Sequence, residues 1–140
     1  MSKKRIKKIT TIDCPCGAVN AAGDKLSFDS CCGPLLHQLT SAITAEQLMR
    51  SRYTAYVMSD FNYLRQTWHP DTCPSDLNES NSIKWLGLQI LSCSESEQEL
   101  AEVHFVARYK IHGRAEKLEE HSRFKKINHT WFYVDGDILE

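Results

Sequence analysis

Two pairs of cysteines near the start of this chain constrain its fold more than any other feature. Cys14-Pro15-Cys16-Gly17 supplies one pair and Cys31-Cys32-Gly33 the other, with 14 residues between Cys16 and Cys31. The connecting segment is rich in Gly, Ala, Ser and Asp and offers few bulky apolar side chains. Such a segment cannot build a core of its own and needs a metal to organise it. Four thiolates converging on one point satisfy a tetrahedral ion, with Zn–S bonds of about 2.3 Å. Pro15 and Gly17 favour a tight turn that aims two sulfurs inward. Adjacent cysteines can both ligate where a bend or helix start parts their side chains. The expected ligands are therefore Cys14, Cys16, Cys31 and Cys32, and the expected ion is Zn²⁺. An iron–sulfur cluster takes the same four thiolates. Disulfides and four unrelated cysteines are the remaining readings. Cys73 and Cys93 have no cysteine near them in sequence and read as free thiols.

The compartment bears on that choice. The basic start (Lys3, Lys4, Arg5, Lys7, Lys8) is not followed by an apolar core, so it does not read as a secretory signal. No stretch approaches the ~20 apolar residues of a membrane-spanning helix, and no membrane association is expected. A cytoplasmic location follows as the expectation. Thiols stay reduced there, which favours metal over disulfide chemistry. Net charge is −1, but residues 1–70 carry 9 Lys/Arg against 5 Asp/Glu and residues 71–140 carry 8 against 13. The basic excess is a local run at residues 3–8, not a stripe across a domain. It reads as a solvated tail or as a steering patch for an acidic protein face or RNA.

At 140 residues the chain suits one domain with an appendage. Residues 1–12 read as a basic flexible tail with a short strand at 9–12, residues 13–39 as the metal knuckle, and residues 40–140 as a packed domain. Thr44 with Gln47 forms a capping box that starts a helix over 45–58. Ala45, Leu48, Met49, Arg52, Tyr53 and Tyr56 make its apolar stripe. Ser59-Asp60 breaks it and starts a second helix over 61–68, which His69-Pro70 ends. After a loop at 71–82, four strands are expected over 83–93, 100–111, 117–127 and 131–135. Two helices followed by an antiparallel meander give an α+β fold, with the helices on one face of a curved four-stranded sheet.

The strings Cys-Pro-Cys-Gly and Cys-Cys-Gly-Pro resemble the SEC-C motif, the zinc knuckle at the tail of the bacterial preprotein translocase motor. Leu48-Met49-Arg50-Ser51-Arg52-Tyr53, Ala55-Tyr56, Asp60, Tyr63-Leu64 and Thr67-Trp68-His69-Pro70 are similar to the YchJ family of small bacterial proteins. Glu120, Ser122-Arg123-Phe124, Trp131, Tyr133 and Asp135-Gly136 extend the likeness. The resemblance implies a SEC-C knuckle joined to a nuclear-transport-factor-2-like domain of the cystatin superfold, with no enzymatic activity attached to the family. Two features depart from the motif: a longer loop between the pairs, and no Ser-Gly-Lys after the second cysteine.

Strand parity adds a site. Leu118, Glu120, Ser122 and Phe124 share the face turned to the helices, so Glu120 needs a partner there or its pKa rises. Arg52, on the apolar stripe, is the expected partner. The cone of such a fold would then hold a pocket lined by Arg52, Tyr53, Tyr56, Trp68, His69, Glu120 and Ser122. Glu120 or His69 could serve as acid or base in it. The bland alternative is a buried ion pair fixing helix on sheet. His104 and His121 fall on the solvent side. Two functions remain. The favoured one is an adaptor whose knuckle docks a protein. The other is an enzyme or small-ligand binder using the cone pocket, disfavoured because no fuller acid–base set converges there.

Overall fold

The computed structural model describes residues 12–77 and 83–139. The basic run at residues 3–8 and residues 9–11 of the strand expected at 9–12 lie outside them. The described chain runs through a cysteine-bearing segment, three helices and four strands. The helices are α1 (Gly33–Leu36), α2 (Ala45–Met58) and α3 (Phe61–Gln66), and the strands are β1 (Ile83–Glu95), β2 (Leu100–Ile111), β3 (Arg114–Ile127) and β4 (Thr130–Leu139). The strands pair antiparallel in the order β1-β2-β3-β4.

Local chemistry explains each boundary. Thr44 caps α2 by accepting from Gln47 N at 3.0 Å. The reciprocal bond comes from Gln47 Oε1, which accepts from Ile43 N at 2.6 Å, so the box closes one residue upstream of its usual form. Ser59 ends α2 in the left-handed region at φ 58°. Asp60 then caps α3 by accepting from Tyr63 N. α3 stops at Gln66, two residues earlier than expected, because the chain turns out to reach β4: His69 N donates to the Tyr133 carbonyl and Tyr133 N to that of Thr67. Trp68 is thereby drawn into a bridge with the sheet.

The hairpins are tight. Asn128 and His129 both take positive φ, which lets two residues link β3 to β4. β1 pairs with β2 through two register shifts, at Trp85/Gly87 and Ile90/Ser92. Such bulges bend a strand and raise its twist. Along β3 the parity is unbroken from Leu118 to Phe124. Glu120, Ser122 and Phe124 are buried, as are Ala101, Val103, Phe105 and Ala107 on β2. These residues face α2. A shift in the β3–β4 ladder falls beside Arg123/Phe124, where β4 takes the extra residue. The opposite face of the sheet is polar: His104 meets Glu119 at 2.6 Å and stacks on His121, and Arg123 bridges Asp135 and Asp137.

One buried cluster runs without a break from Cys14, Cys16 and Cys32 through Leu35, Leu48, Tyr53 and Leu64 to Phe105, Phe124 and Trp131. The α2 helix is covered on several sides. Its buried residues include Ser51, Arg52 and Thr54 beside the apolar stripe. Ser51 Oγ and the Tyr63 hydroxyl pair at 2.6 Å, which satisfies two buried polar groups at the α2–α3 contact. Among the described residues no helix is long and apolar enough to cross a membrane.

Candidate metal centre and helix-lined cavity

The first cysteine pair sits on a turn pinned to the segment that follows. Cys14 N donates to the Leu26 carbonyl, and Gly17 N returns to that of Cys14. Gly17 takes φ +77°, which the glycine permits without strain. The second pair follows a short 3₁₀ turn over Phe28–Ser30, capped by Ser27. Cys32 is the N-cap of α1, with Pro34 in the first turn. The bend at Cys31 and the start of α1 at Cys32 therefore part the adjacent thiols. A Cβ on Gly33 would lie 2.8 Å from the Phe28 carbonyl oxygen, so this position has room for glycine alone.

The four sulfurs lie within 4.8 Å of one another. Cys16 and Cys31 are 3.6 Å apart, and Cys31 and Cys32 4.0 Å. Four sulfurs at about 2.3 Å from one ion stand about 3.8 Å apart in a tetrahedron. The spacing fits a single ion. Cys14, Cys16 and Cys32 are buried, Cys31 is half-buried, and all are free thiols, so the disulfide reading does not hold. Proximity and burial shift three of these thiols. Hydrogen bonds from Cys16 and then Cys32 hold Cys14 far below the usual thiol range. Burial, followed by the nearby Cys16, pushes Cys31 up to about 12. Bonds to Cys14 and Cys16 raise Cys32.

Two residues of α2 support the centre from behind. Thr54 Oγ1 lies 3.8 Å from Cys14 Sγ. Arg50 Nη1 donates to the Cys16 carbonyl at 3.0 Å, and its Nε to Glu46 Oε2 at 3.1 Å. Arg50 and Thr54 are four residues apart and so share one helix face. The apolar stripe did not reveal them, because they lie on the face it leaves over. The i, i+4 spacing of a cation and a hydroxyl was the available signal.

The opposite side of α2 covers a cavity of ≈ 210 Å³. Arg52, Tyr53, Tyr56, Glu120 and Ser122 line it, together with Met49, Trp85, Phe105, Leu118 and Tyr133. Trp68 and His69 are not on its wall. Trp68 lies behind Arg52, 4.7 Å from the guanidinium carbon, with its indole nitrogen buried and unpartnered among the described residues. His69 Nδ1 accepts from Asp71 N, because the pairing of residues 67–69 with β4 turns the histidine toward its own loop. Arg52 and Glu120 form no ion pair within 4.0 Å. Arg52 Nη1 instead donates to the Leu64 carbonyl at 3.0 Å and Thr67 Oγ1 at 2.7 Å. Glu120 Oε2 accepts from Ser122 Oγ and the Tyr133 hydroxyl, both at 2.8 Å. Tyr133 separates the two charges, with its ring 4.5 Å from the Arg52 guanidinium carbon. Burial lowers the Arg52 pKa, pushes Tyr53 up to about 12 and raises Tyr56.

A cluster of four cysteines docked on a helix, which in turn lies on a four-stranded antiparallel sheet, defines a SEC-C knuckle fused to a nuclear-transport-factor-2-like domain. Residues 44–136 match the family described as YchJ, middle NTF2-like domain. The chain belongs to this family, whose curated relatives carry the name UPF0225. It is 44% identical over 145 residues to the UPF0225 protein of Cupriavidus pinatubonensis, covering 99% of this chain and 97% of that one. It is 48% identical over 129 residues to that of Bordetella pertussis, covering 89% and 92%. Among solved structures, it is similar to a SEC-C motif containing protein from Rhodopseudomonas palustris (TM-score 0.79, 34% identity, 92% of this chain and 100% of that one). A second such protein, from Psychrobacter arcticus, aligns with TM-score 0.74 and 27% identity over 94% of this chain and 85% of that one.

Proposed function

We propose that the four cysteines hold Zn²⁺ and that the knuckle they organise is a docking module for a protein partner. The observation that carries the zinc reading is the set of four sulfurs within 4.8 Å of one another. Their spacing supports one tetrahedral ion rather than a cluster that would place iron and sulfide between them. Zn²⁺ in a closed four-thiolate site is structural: with all four positions taken by protein it supplies folding energy and leaves no position for a substrate.

Docking is supported by what surrounds the centre. Val19, Leu39 and Ile43 are 52%, 75% and 78% exposed. A groove between knuckle and α2 runs along Ala18, Leu26, Cys31, Leu35, Ile43 and Arg50. Exposed apolar side chains around a rigid centre suit the fully desolvated middle of a protein interface. An adaptor role also agrees with the position of the half-buried Cys31 at the groove. Cytoplasmic location is part of this proposal, since reduced thiols are its condition.

Metal content per chain on protein purified without chelator tests the first half. The reading expects one zinc per chain, lost in a Cys14→Ser, Cys31→Ser variant. Capture of one partner by the intact protein and not by an Ile43→Asp, Leu39→Asp variant of unchanged zinc content tests the second. Equal capture by both would overturn docking at this face.

A further inference from the structure

The cavity under α2 contains a cation whose counter-charge is missing. Arg52 is 3% exposed. One nitrogen, Nη1, is used by Leu64 and Thr67, and the guanidinium carbon lies 4.7 and 4.5 Å from the centres of the Trp68 and Tyr133 rings, which meet each other edge to face. Among the described residues, no carboxylate comes within 4.0 Å of it, and beside its Nη1 bonds it meets only the neutral Tyr56 hydroxyl. A guanidinium keeps its proton even where burial opposes the charge. Leaving such a cation buried and half-bonded is costly unless something else completes it.

The rest of the wall says what would complete it. Met49, Trp85, Phe105 and Leu118 are apolar and flank the space before Arg52. Glu120 stands beyond Tyr133, its Oε2 taken by two hydroxyls and its Oε1 without a hydrogen bond among the described residues. The cavity thus has a planar cation, an apolar middle and an acceptor. A dianion such as phosphate suits it poorly, because Glu120 shares the space and the walls cannot hydrate it. A carboxylate matches the two-pronged edge of a guanidinium. At ≈ 210 Å³ the cavity falls below the range that encloses drug-sized ligands, which limits the guest to on the order of ten non-hydrogen atoms.

We propose that this cavity binds a small amphiphilic carboxylic acid. Its carboxylate lies on the Nε and Nη2 edge of Arg52, its flat apolar body against Trp85, Phe105 and Leu118, and a hydroxyl or amine at its far end donates to Glu120. The site is separate from the metal centre, and the two share only helix α2. Binding here does not depend on what the knuckle docks.

Calorimetric titration of the full-length, metal-loaded protein with 4-hydroxybenzoate and 4-aminobenzoate tests this. Saturable one-to-one binding by at least one of them is expected. Benzoate, which lacks the donor, should bind more weakly, and p-cresol, which lacks the carboxylate, should not saturate. Arg52→Gln should weaken binding about ten- to a hundredfold, the scale of a lost charged hydrogen-bond pair. Because that variant removes a buried group and can fail to fold, Leu118→Trp is made beside it to fill the cavity from β3. It should abolish binding with metal content and far-UV circular dichroism unchanged. No saturable heat with either acid would overturn the proposal. So would p-cresol binding as tightly as 4-hydroxybenzoate, or undiminished affinity in Leu118→Trp. Zinc content, read on the same samples, keeps this result separate from that of the docking reading.

Discussion

Thr54 Oγ1 reaches Cys14 Sγ at 3.8 Å across 40 residues of sequence, and both groups are buried. The contact joins the metal centre to the middle of α2, whose other faces carry Arg52 and Tyr53. With Cys14 as a thiolate ligand, the threonine hydroxyl is the donor. Hydrogen bonds of this kind orient a ligand and set its basicity. Thr54→Val keeps the shape and removes the donor. Metal affinity should fall about tenfold or more, read by competition with a chromogenic chelator. Unchanged affinity would show that the contact is packing alone.

Metal removal should act unevenly along the chain. The segment from Cys14 to Leu36 has few apolar anchors besides Leu35 and Leu36, whereas the sheet buries Val103, Phe105, Phe124 and Trp131. Stripping the ion with a strong chelator should raise hydrogen exchange over residues 13–36 and the first turn of α2. Exchange in β2 and β3 should change little. A uniform rise across the sheet would show that the ion holds the whole fold.

Gly136 faces Glu120 at close range. A Cβ there would sit 2.6 Å from Glu120 Cδ and 2.8 Å from its Cγ. Gly136→Ala should therefore destabilise by about 1–3 kcal/mol, the range for overpacking a well-filled site. In a Glu120→Ala background the clash disappears and the added cost of Gly136→Ala should be close to zero. Urea unfolding of the four proteins measures the coupling, and additive costs would refute the contact.

On the outer face, Arg123 donates to Asp135 Oδ1 at 2.6 Å and to Asp137 Oδ2 at 2.8 Å. The Arg123 hydrogen bonds, then its charge, hold the Asp137 carboxyl below the usual carboxylate range. A group with a depressed folded pKa stabilises above its unfolded pKa of about 3.9 and loses that stabilisation as pH falls through the folded value. Arg123→Gln should therefore lower Tm slightly at neutral pH, and the difference from the unaltered protein should vanish in acid. High salt should shrink it too, since these groups are exposed.

The elements were legible wherever their signal was local. Thr44 and Gln47 set the start of α2, Asp60 that of α3, and alternation set β2 from Leu100 to Ile111. The ligand set was legible because cysteines paired in a coreless segment have few other uses. The ends of β3 and β4 were not, since Arg114 to Glu116 carry little apolar pattern, Gly136 interrupts β4 after Asp135, and both ends are held by the neighbouring strand. The partner of Glu120 was also misjudged. Strand parity and the helical stripe placed Glu120 and Arg52 on facing surfaces, but they cannot show that Tyr133, from a strand 13 residues on, would stand between them. The cone shape of the expected fold likewise put Trp68 and His69 at the cavity without showing that backbone pairing with Tyr133 would turn them away.

By itself, the sequence determined that four thiols must converge, that an amphipathic helix follows, and that a four-stranded meander closes the chain. Spacing and periodicity are properties of neighbours along the backbone, and they carry that much. Tertiary structure alone decided that Thr54 and Arg50 would brace the cysteines, that Arg52 would lie against the Trp68–Tyr133 aromatic pair instead of pairing with Glu120, and that a cavity would remain before it. Those outcomes depend on which side chains meet across 12 residues or more of chain, and packing geometry, not sequence pattern, selects among them.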